Sequence, residues 1–314
     1  MGKKEGRSYT WVIVLFVIFL VIAIFFGMTK VFLSLLFNQE TLRTGNVAVI
    51  PISGPIVTES EESVFAPSGL AVSSRIVDKI KKAEEDAMIR AIIIEINSPG
   101  GSPVGSDEIA FAIEESKKPV VALIREMGAS GGYWVAAPAD VIVAHRNSLV
   151  GSIGVIASYV EFPDLLTRFN ITYNRLVAGK YKDVGSPLKK MKEDEEALFQ
   201  SLLDELYEDF ISHVAKHRKL EPEQVKELAT GWIYTGRKAK ELGLVDELGG
   251  MEKAEEIIER DLNITVELVE YQTQPSFFEI LAGTGQVGAY QIGKGIGESL
   301  ITRAEQPSTL KVLM

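Results

Sequence analysis

Hydrophobic and polar positions fall along this chain in blocks whose period changes several times. Trp11 to Met28 are eighteen uncharged positions, mostly Val, Ile, Leu and Phe. A helix of that length spans roughly 27 Å, close to the hydrocarbon core of a bilayer. A different texture begins at Gly45. Val47-Ala48-Val49-Ile50-Pro51-Ile52 reads as a buried strand stopped by Ser53-Gly54-Pro55, and the polar, punctuated stretch to Ala71 reads as a loop. Ile76, Val77, Ile80 and Ala83 set a helical period over 72–87. Ala91 to Ile96 is a second core strand, running into the turn Asn97-Ser98-Pro99-Gly100-Gly101, with a helix to about Ser116. Pro119 to Ile124 is a third strand, after which Met127-Gly128-Ala129-Ser130-Gly131-Gly132 opens a helix that ends before Pro138. Strands at about 141–144 and 153–157, a helix at 161–169 and a strand at 173–177 continue the alternation. Lys190 to Lys219 and Pro222 to Ala229 read as helices, and Val266 to Val269 as a closing strand. Solidly apolar strands alternating with helices predict an α/β fold with parallel sheets buried on both faces. Beyond Pro275, glycines at 283, 285, 288, 293, 295 and 297 suggest a flexible or interface-forming tail.

Charge gives the first block an orientation. Lys3, Lys4 and Arg7 precede it and Lys30 alone follows closely, which predicts a cytoplasmic N-terminus (1–10) and the bulk of the chain outside. A cleavable signal peptide would have a shorter apolar region and an Ala-x-Ala site. Here Val31-Phe32-Leu33-Ser34-Leu35-Leu36-Phe37 follows, so a retained signal anchor over 11–31 is expected.

Composition removes several chemistries. A net charge of -10 without a basic stripe argues against nucleic acid as a partner. The absence of cysteine excludes disulfides, thiolate nucleophiles and cysteine-bound zinc. The three histidines are His145, His213 and His217. The last two are spaced to share a helical face, but no Glu stands beside the first, so no zinc-protease motif forms and a solvated helix surface is expected. No metal or cofactor is called for.

Glycine-rich turns follow strands, where α/β proteins place their sites. The paired glycines at 100–101 could expose N–H groups to a developing oxyanion, or simply make a turn. Ser130, between small residues at the head of a helix, could be a nucleophile or an N-cap. A nucleophilic serine needs a base. His145, at a strand end beside Arg146, is poorly placed; a lysine kept neutral by burial is the alternative, and both Lys180 and Lys182 are candidates.

Five motifs in order resemble the signal peptide peptidase A family, the serine–lysine proteases of the Clp/crotonase superfamily. They are Asn-Ser-Pro-Gly-Gly at 97–101, Gly-Ala-Ser-Gly-Gly-Tyr at 128–133 and Gly-Ser-Ile-Gly-Val at 151–155. Ala-Gly-Lys-Tyr-Lys-Asp-Val-Gly-Ser-Pro at 178–187 and Gly-Trp-Ile-Tyr-Thr-Gly…Ala…Gly-Leu-Val-Asp at 231–246 complete the set. The resemblance implies a repeated ββα superhelix, with a peptidase domain over 45–265 and a tail over 266–314. It makes Ser130 the nucleophile, Lys182 the general base, Ser152 the residue that orients the lysine, and the N–H groups of Gly101 and Gly131 the oxyanion hole. The 147–152 stretch lacks the histidine of Clp-type enzymes. Released signal peptides and other unfolded polypeptides are the implied substrates, cleaved outside the cytoplasm by a homo-oligomer whose neighbouring subunits complete each site. An acyl-CoA enzyme and a non-catalytic, membrane-tethered peptide-binding scaffold are the competing uses of the same fold.

Overall fold

The computed structural model describes residues 10–37, 45–59 and 69–271. The residues expected to form the cytoplasmic N-terminus, except Thr10, and the glycine-spaced tail lie outside them. The described residues fall into two compact units, divided between Thr44 and Gly45.

The first unit holds one helix, α1 (Thr10–Phe37). Its side chains are described over residues 14–30, where Val14 to Met28 are all exposed. Among the described residues no helix is long and apolar enough to cross a membrane.

The second unit begins with β1 (Val47–Ser53), the short pair β2 (Ile56–Val57) and β3 (Ala71–Val72), and α2 (Ser73–Glu85). Then come β4 (Ala91–Ser98), α3 (Pro103–Glu114), β5 (Val120–Ala129), α4 (Gly131–Ala136), β6 (Val141–Ala144) and β7 (Leu149–Gly151). The remainder is α5 (Pro163–Arg168), α6 (Glu193–Arg218), α7 (Pro222–Leu228), β8 (Ile233–Thr235), α8 (Gly236–Glu241), β9 (Glu247–Leu248), α9 (Met251–Leu262) and β10 (Leu268–Glu270).

The main sheet runs β10-β1-β4-β5-β6-β9, with every neighbouring pair parallel. Its strands separate two cores by simple alternation, because successive side chains of a strand point to opposite faces. Ala48, Ile50, Ile52, Ile92, Ile94, Ile96, Ala122 and Ile124 face one way, against α2, α3, α4 and α6. Val47, Val49, Ala91, Ile93, Val121 and Leu123 face the other, against Ala254, Ile257 and Ile258 of α9. Both faces are buried, which is why the strands read as unbroken apolar runs.

β5 is the strand that builds the site. Its first half pairs with β6 and its second half with β7, so Met127, Gly128 and Ala129 lie beside Leu149, Val150 and Gly151. Expected to open a helix, Met127 to Ala129 instead extend the strand, because β7 supplies their hydrogen-bond partners. A register shift between β4 and β5 after Ile96 brings Ser98 opposite Gly128. The two glycine turns therefore end side by side.

The strands expected at 153–157 and 173–177 do not form. Residues 156–182 are almost entirely exposed, with Ile156 at 87% and Leu176 at 96%. Their apolar pattern has no sheet within the protomer to pack against. The segment is instead held by polar links: Arg175 pairs with Asp183, and Lys189 reaches Glu195 at 2.5 Å.

Candidate active site

Ser130 stands at the corner between β5 and α4 with φ 50° and ψ -125°. Non-glycine residues seldom adopt such a backbone, at a cost of order 1–3 kcal/mol, and it persists only where the surroundings enforce it. They do so here. The Ser130 N–H donates to Gly151 O at 2.8 Å, and its carbonyl accepts from the N–H groups of Tyr133 and Trp134 at 2.8 and 3.0 Å. Tyr133 is fully buried and its hydroxyl donates to Leu244 O at 2.8 Å, anchoring α4. Burial pushes that phenol well above its ordinary pKa. The Ser130 side chain makes no capping hydrogen bond, so its hydroxyl is not used as an N-cap.

The turn after β4 meets this corner. Ile56 bridges to it in parallel fashion, donating to Gly100 O and accepting from Ser102 N–H, each at 2.8 Å. Those bonds use the residues on either side of Gly101 and leave its own N–H free. A Cβ at Gly101 would lie 2.2 Å from Ile56 O, so only glycine allows this approach. A Cβ at Gly131 would lie 3.3 Å from Gly101 N and 2.3 Å from Ser106 Oγ, so both turns and α3 crowd one spot. Among the described residues neither the Gly101 nor the Gly131 N–H has an acceptor. A hydroxyl and two unengaged N–H donors on rigid elements are what acyl transfer needs at the attacking oxygen and the developing oxyanion.

Ser130, Gly101 and Gly131 line one cleft of about 540 Å³. α3 forms one wall through Pro103, Ser106 and Asp107, and α6 forms another through Leu206, Asp209, Phe210 and His213. The segment 154–156 closes the third side. Trp134 joins them: its ring stacks on His213 at 4.1 Å, meets Phe210 edge-on at 5.1 Å, and donates through Nε1 to Asp107 at 3.2 Å. Ser106 is 1% exposed, and its hydroxyl has no partner among the described residues.

These walls were missed in the sequence. His213 and His217, expected on a solvated surface, are partly buried. His213 Nε2 lies 2.9 Å from Trp134 O, and burial lowers its pKa to about 4. Burial also lowers that of His217, whose ring lies 4.6 Å from that of His213. The available signal was the spacing of Leu206, Phe210 and His213, which share one face of α6.

Ser152 directly follows the residue that accepts the Ser130 N–H, and it too has φ 50°. Its N–H donates to Trp232 O at 2.8 Å and its hydroxyl to Gly231 O at 3.3 Å, not to a lysine. Lys182 is not among the residues lining the cleft. It lies on the exposed turn after Gly179, solvated rather than buried, and its side chain has no described partner. Lys180 is occupied: Nζ pairs with Asp194 at 2.7 Å and donates to Tyr181 at 2.8 Å, and the Asp194 bond holds its pKa above the usual range. His145 is not among the lining residues either. The structure thus gathers Ser130, Gly101 and Gly131, sets Ser152 next to them, and leaves Lys182 apart. Among the described residues no three His, Asp or Glu side chains could hold a metal ion.

Comparison with known proteins agrees with this chemistry. The profile of peptidase family S49 matches residues 112–265. "Putative protease MJ0651" of Methanocaldococcus jannaschii is 40% identical over 227 residues, 71% of this chain and 72% of that protein. "Putative signal peptide peptidase SppA" of Enterococcus faecium is 33% identical over 263 residues, covering 81% and 74%. "Serine protease SPPA, chloroplastic" of Arabidopsis thaliana is 31% identical over 266 residues, which is 81% of this chain but 39% of that longer one. The chain belongs to peptidase family S49, the signal peptide peptidase A family, and is a serine endopeptidase.

Proposed function

We propose that this endopeptidase is held at a membrane through the uncharged run 11–28 and cuts unfolded polypeptides, released signal peptides among them, with a Ser130–Lys182 dyad. The observation that carries the reading is Ser130 at its positive-φ corner, its hydroxyl uncommitted, beside two N–H groups without acceptors. Lys182, in its amine form, takes the Ser130 proton as the oxygen attacks the scissile carbonyl. The N–H groups of Gly101 and Gly131 receive the oxyanion, each worth about 3 kcal/mol in the transition state. Lys182 then returns the proton to the leaving amine and activates the water that frees the acyl group. Ser152, beside the nucleophile, orients the lysine once it arrives. A peptide lies extended along 154–156, where among the described residues Gly154, Val155 and Ile156 make no backbone hydrogen bonds. The units β4–α3 and β5–α4 each lead from a strand through a glycine turn into a helix, which fits the repeated ββα superhelix.

Two features support assembly. Lys182 is not part of the cleft wall of its own protomer, and the segment bearing it exposes Ile156, Val160, Phe169, Ile171 and Leu176. A second copy that covers this surface would complete the site and hide the apolar side chains. Anchoring rests on the uncharged run 11–28 and the basic residues before it, with the peptidase outside the cytoplasm.

A fluorophosphonate probe tests the nucleophile. Wild type should label and Ser130→Ala should not; equal labelling of the two sinks the assignment. Mixing inactive Ser130→Ala with inactive Lys182→Ala tests assembly, since shared sites recover activity and self-contained ones do not. Alkaline carbonate should fail to extract the full chain from membranes, whereas release into the soluble fraction would refute the anchor.

A further inference from the structure

The cleft beside Ser130 has a chemistry that released signal peptides, rich in Leu, Ala and Val, do not use fully. Its body is apolar: Trp134 and Phe210 meet at 5.1 Å, and Leu206 and Val155 complete the lining. Its two helical walls each add a carboxylate, Asp107 from α3 and Asp209 from α6. Both side chains belong to exposed residues, so they stand towards the open side rather than in the core. No Lys or Arg is among the lining residues. The one lining group that could become cationic is His213, and burial keeps it neutral against the opposing pull of its hydrogen bond to Trp134. Its ring is stacked flat on Trp134, its Nε2 lies 2.9 Å from the Trp134 carbonyl, and it is partly buried. A carbonyl can only accept, so Nε2 carries the hydrogen.

We propose that this cleft is the pocket for the residue on the acyl side of the scissile bond, and that Asp107 and Asp209 make it select a long side chain with an apolar stem and a cationic end, arginine or lysine. The proposal rests on the assignment of Ser130 as nucleophile. Trp134 follows Ser130 by one helical turn, so the pocket opens beside the attacking oxygen. An arginine entering it lays its methylenes along Trp134 and Phe210 and brings its guanidinium between carboxylates on opposite walls. A glutamate in the same place meets two like charges and no compensating cation. Asp107 already accepts from Trp134 Nε1 at 3.2 Å, which fixes the carboxylate and leaves its second oxygen for the ligand.

The test uses the full-length chain in detergent and fluorogenic peptides that differ only at the residue before the scissile bond. Arginine is compared with citrulline, which keeps the shape and loses the charge. Wild type should cleave the arginine peptide about tenfold better in kcat/KM, the scale of two partly screened charge pairs. Asp107→Asn combined with Asp209→Asn should bring the ratio close to one, and raised salt should lower it in wild type alone. Asn at 107 can still accept from Trp134; should the double variant misfold, Asp209→Asn alone should lower the ratio about threefold. A wild-type ratio near one, or a ratio the variants leave unchanged, overturns the proposal. Cleavage that is indifferent to charge but lost in Ser130→Ala would sink this proposal and leave the nucleophile intact. Cleavage surviving in Ser130→Ala would instead remove the nucleophile assignment.

Discussion

The two halves of the proposed dyad sit in opposite physical settings. Ser130 is locked at the end of a central strand: its neighbours Ala129 and Tyr133 are buried, and its backbone is bonded to β7 and α4. Lys182 lies on a solvent-exposed turn in a segment with no sheet behind it. Catalytic geometry requires both groups to be held within a fraction of an ångström. The nucleophile half obtains that from its own protomer, and the base half must obtain it from contacts that one protomer lacks. The protomer alone is therefore a folded but incomplete enzyme under the proposed mechanism.

The hardest test of that contrast is activity. Ser130→Ala should cut kcat by about 10⁴-fold or more with an unchanged melting temperature, read by peptide hydrolysis alongside calorimetry. Lys182→Ala should cost about 10³-fold, whereas Lys180→Ala, which removes a cation already paired with Asp194, should cost less than tenfold. Equal losses at 180 and 182 would erase the distinction between them.

Stability should respond in the packed half. The folded His213 imidazole takes its proton only near pH 4, against about 6.5 when unfolded. Its contribution is thus full above pH 6.5 and is lost as pH falls towards 4, by about 3 kcal/mol. Urea titrations of wild type and His213→Gln at pH 7 and pH 4.5 should show a shallower pH dependence for the variant. Tyr133→Phe leaves the Leu244 carbonyl without its donor and should cost about 1–2 kcal/mol, measured the same way. In the exposed half, Leu176→Glu should leave protomer stability within about 0.5 kcal/mol, yet shift the assembly towards monomer in light scattering. A large fall in stability there would mean that the segment packs within its own chain.

The same contrast governs how much of the molecule was legible in the sequence. β1, β4 and the first half of β5 could be read because they are buried on both faces, and a short unbroken apolar run between turn residues fits an interior strand. The turns at 97–101 and 128–132 were legible because close backbone approach demands small residues there. The run at 173–177 misled for the same reason: apolarity signals burial but not what does the burying. His213 was lost because a histidine on a charged helix looks solvated until Trp134, far away in sequence, is laid against it. That Lys182 rather than Lys180 is the candidate base came from family resemblance alone; the structure adds that Lys180 is already paired.

The Trp134–His213 stack has an optical consequence. The chain has three tryptophans, of which Trp232 is largely exposed and Trp11 belongs to α1. With those two replaced by phenylalanine, emission would come from a single indole in the cleft wall, one helical turn from the nucleophile. A peptide displacing water from that wall would shift the emission to the blue, and an imidazole protonating against the ring would quench it. The enzyme would then report cleft occupancy by its own light, before any bond is cut.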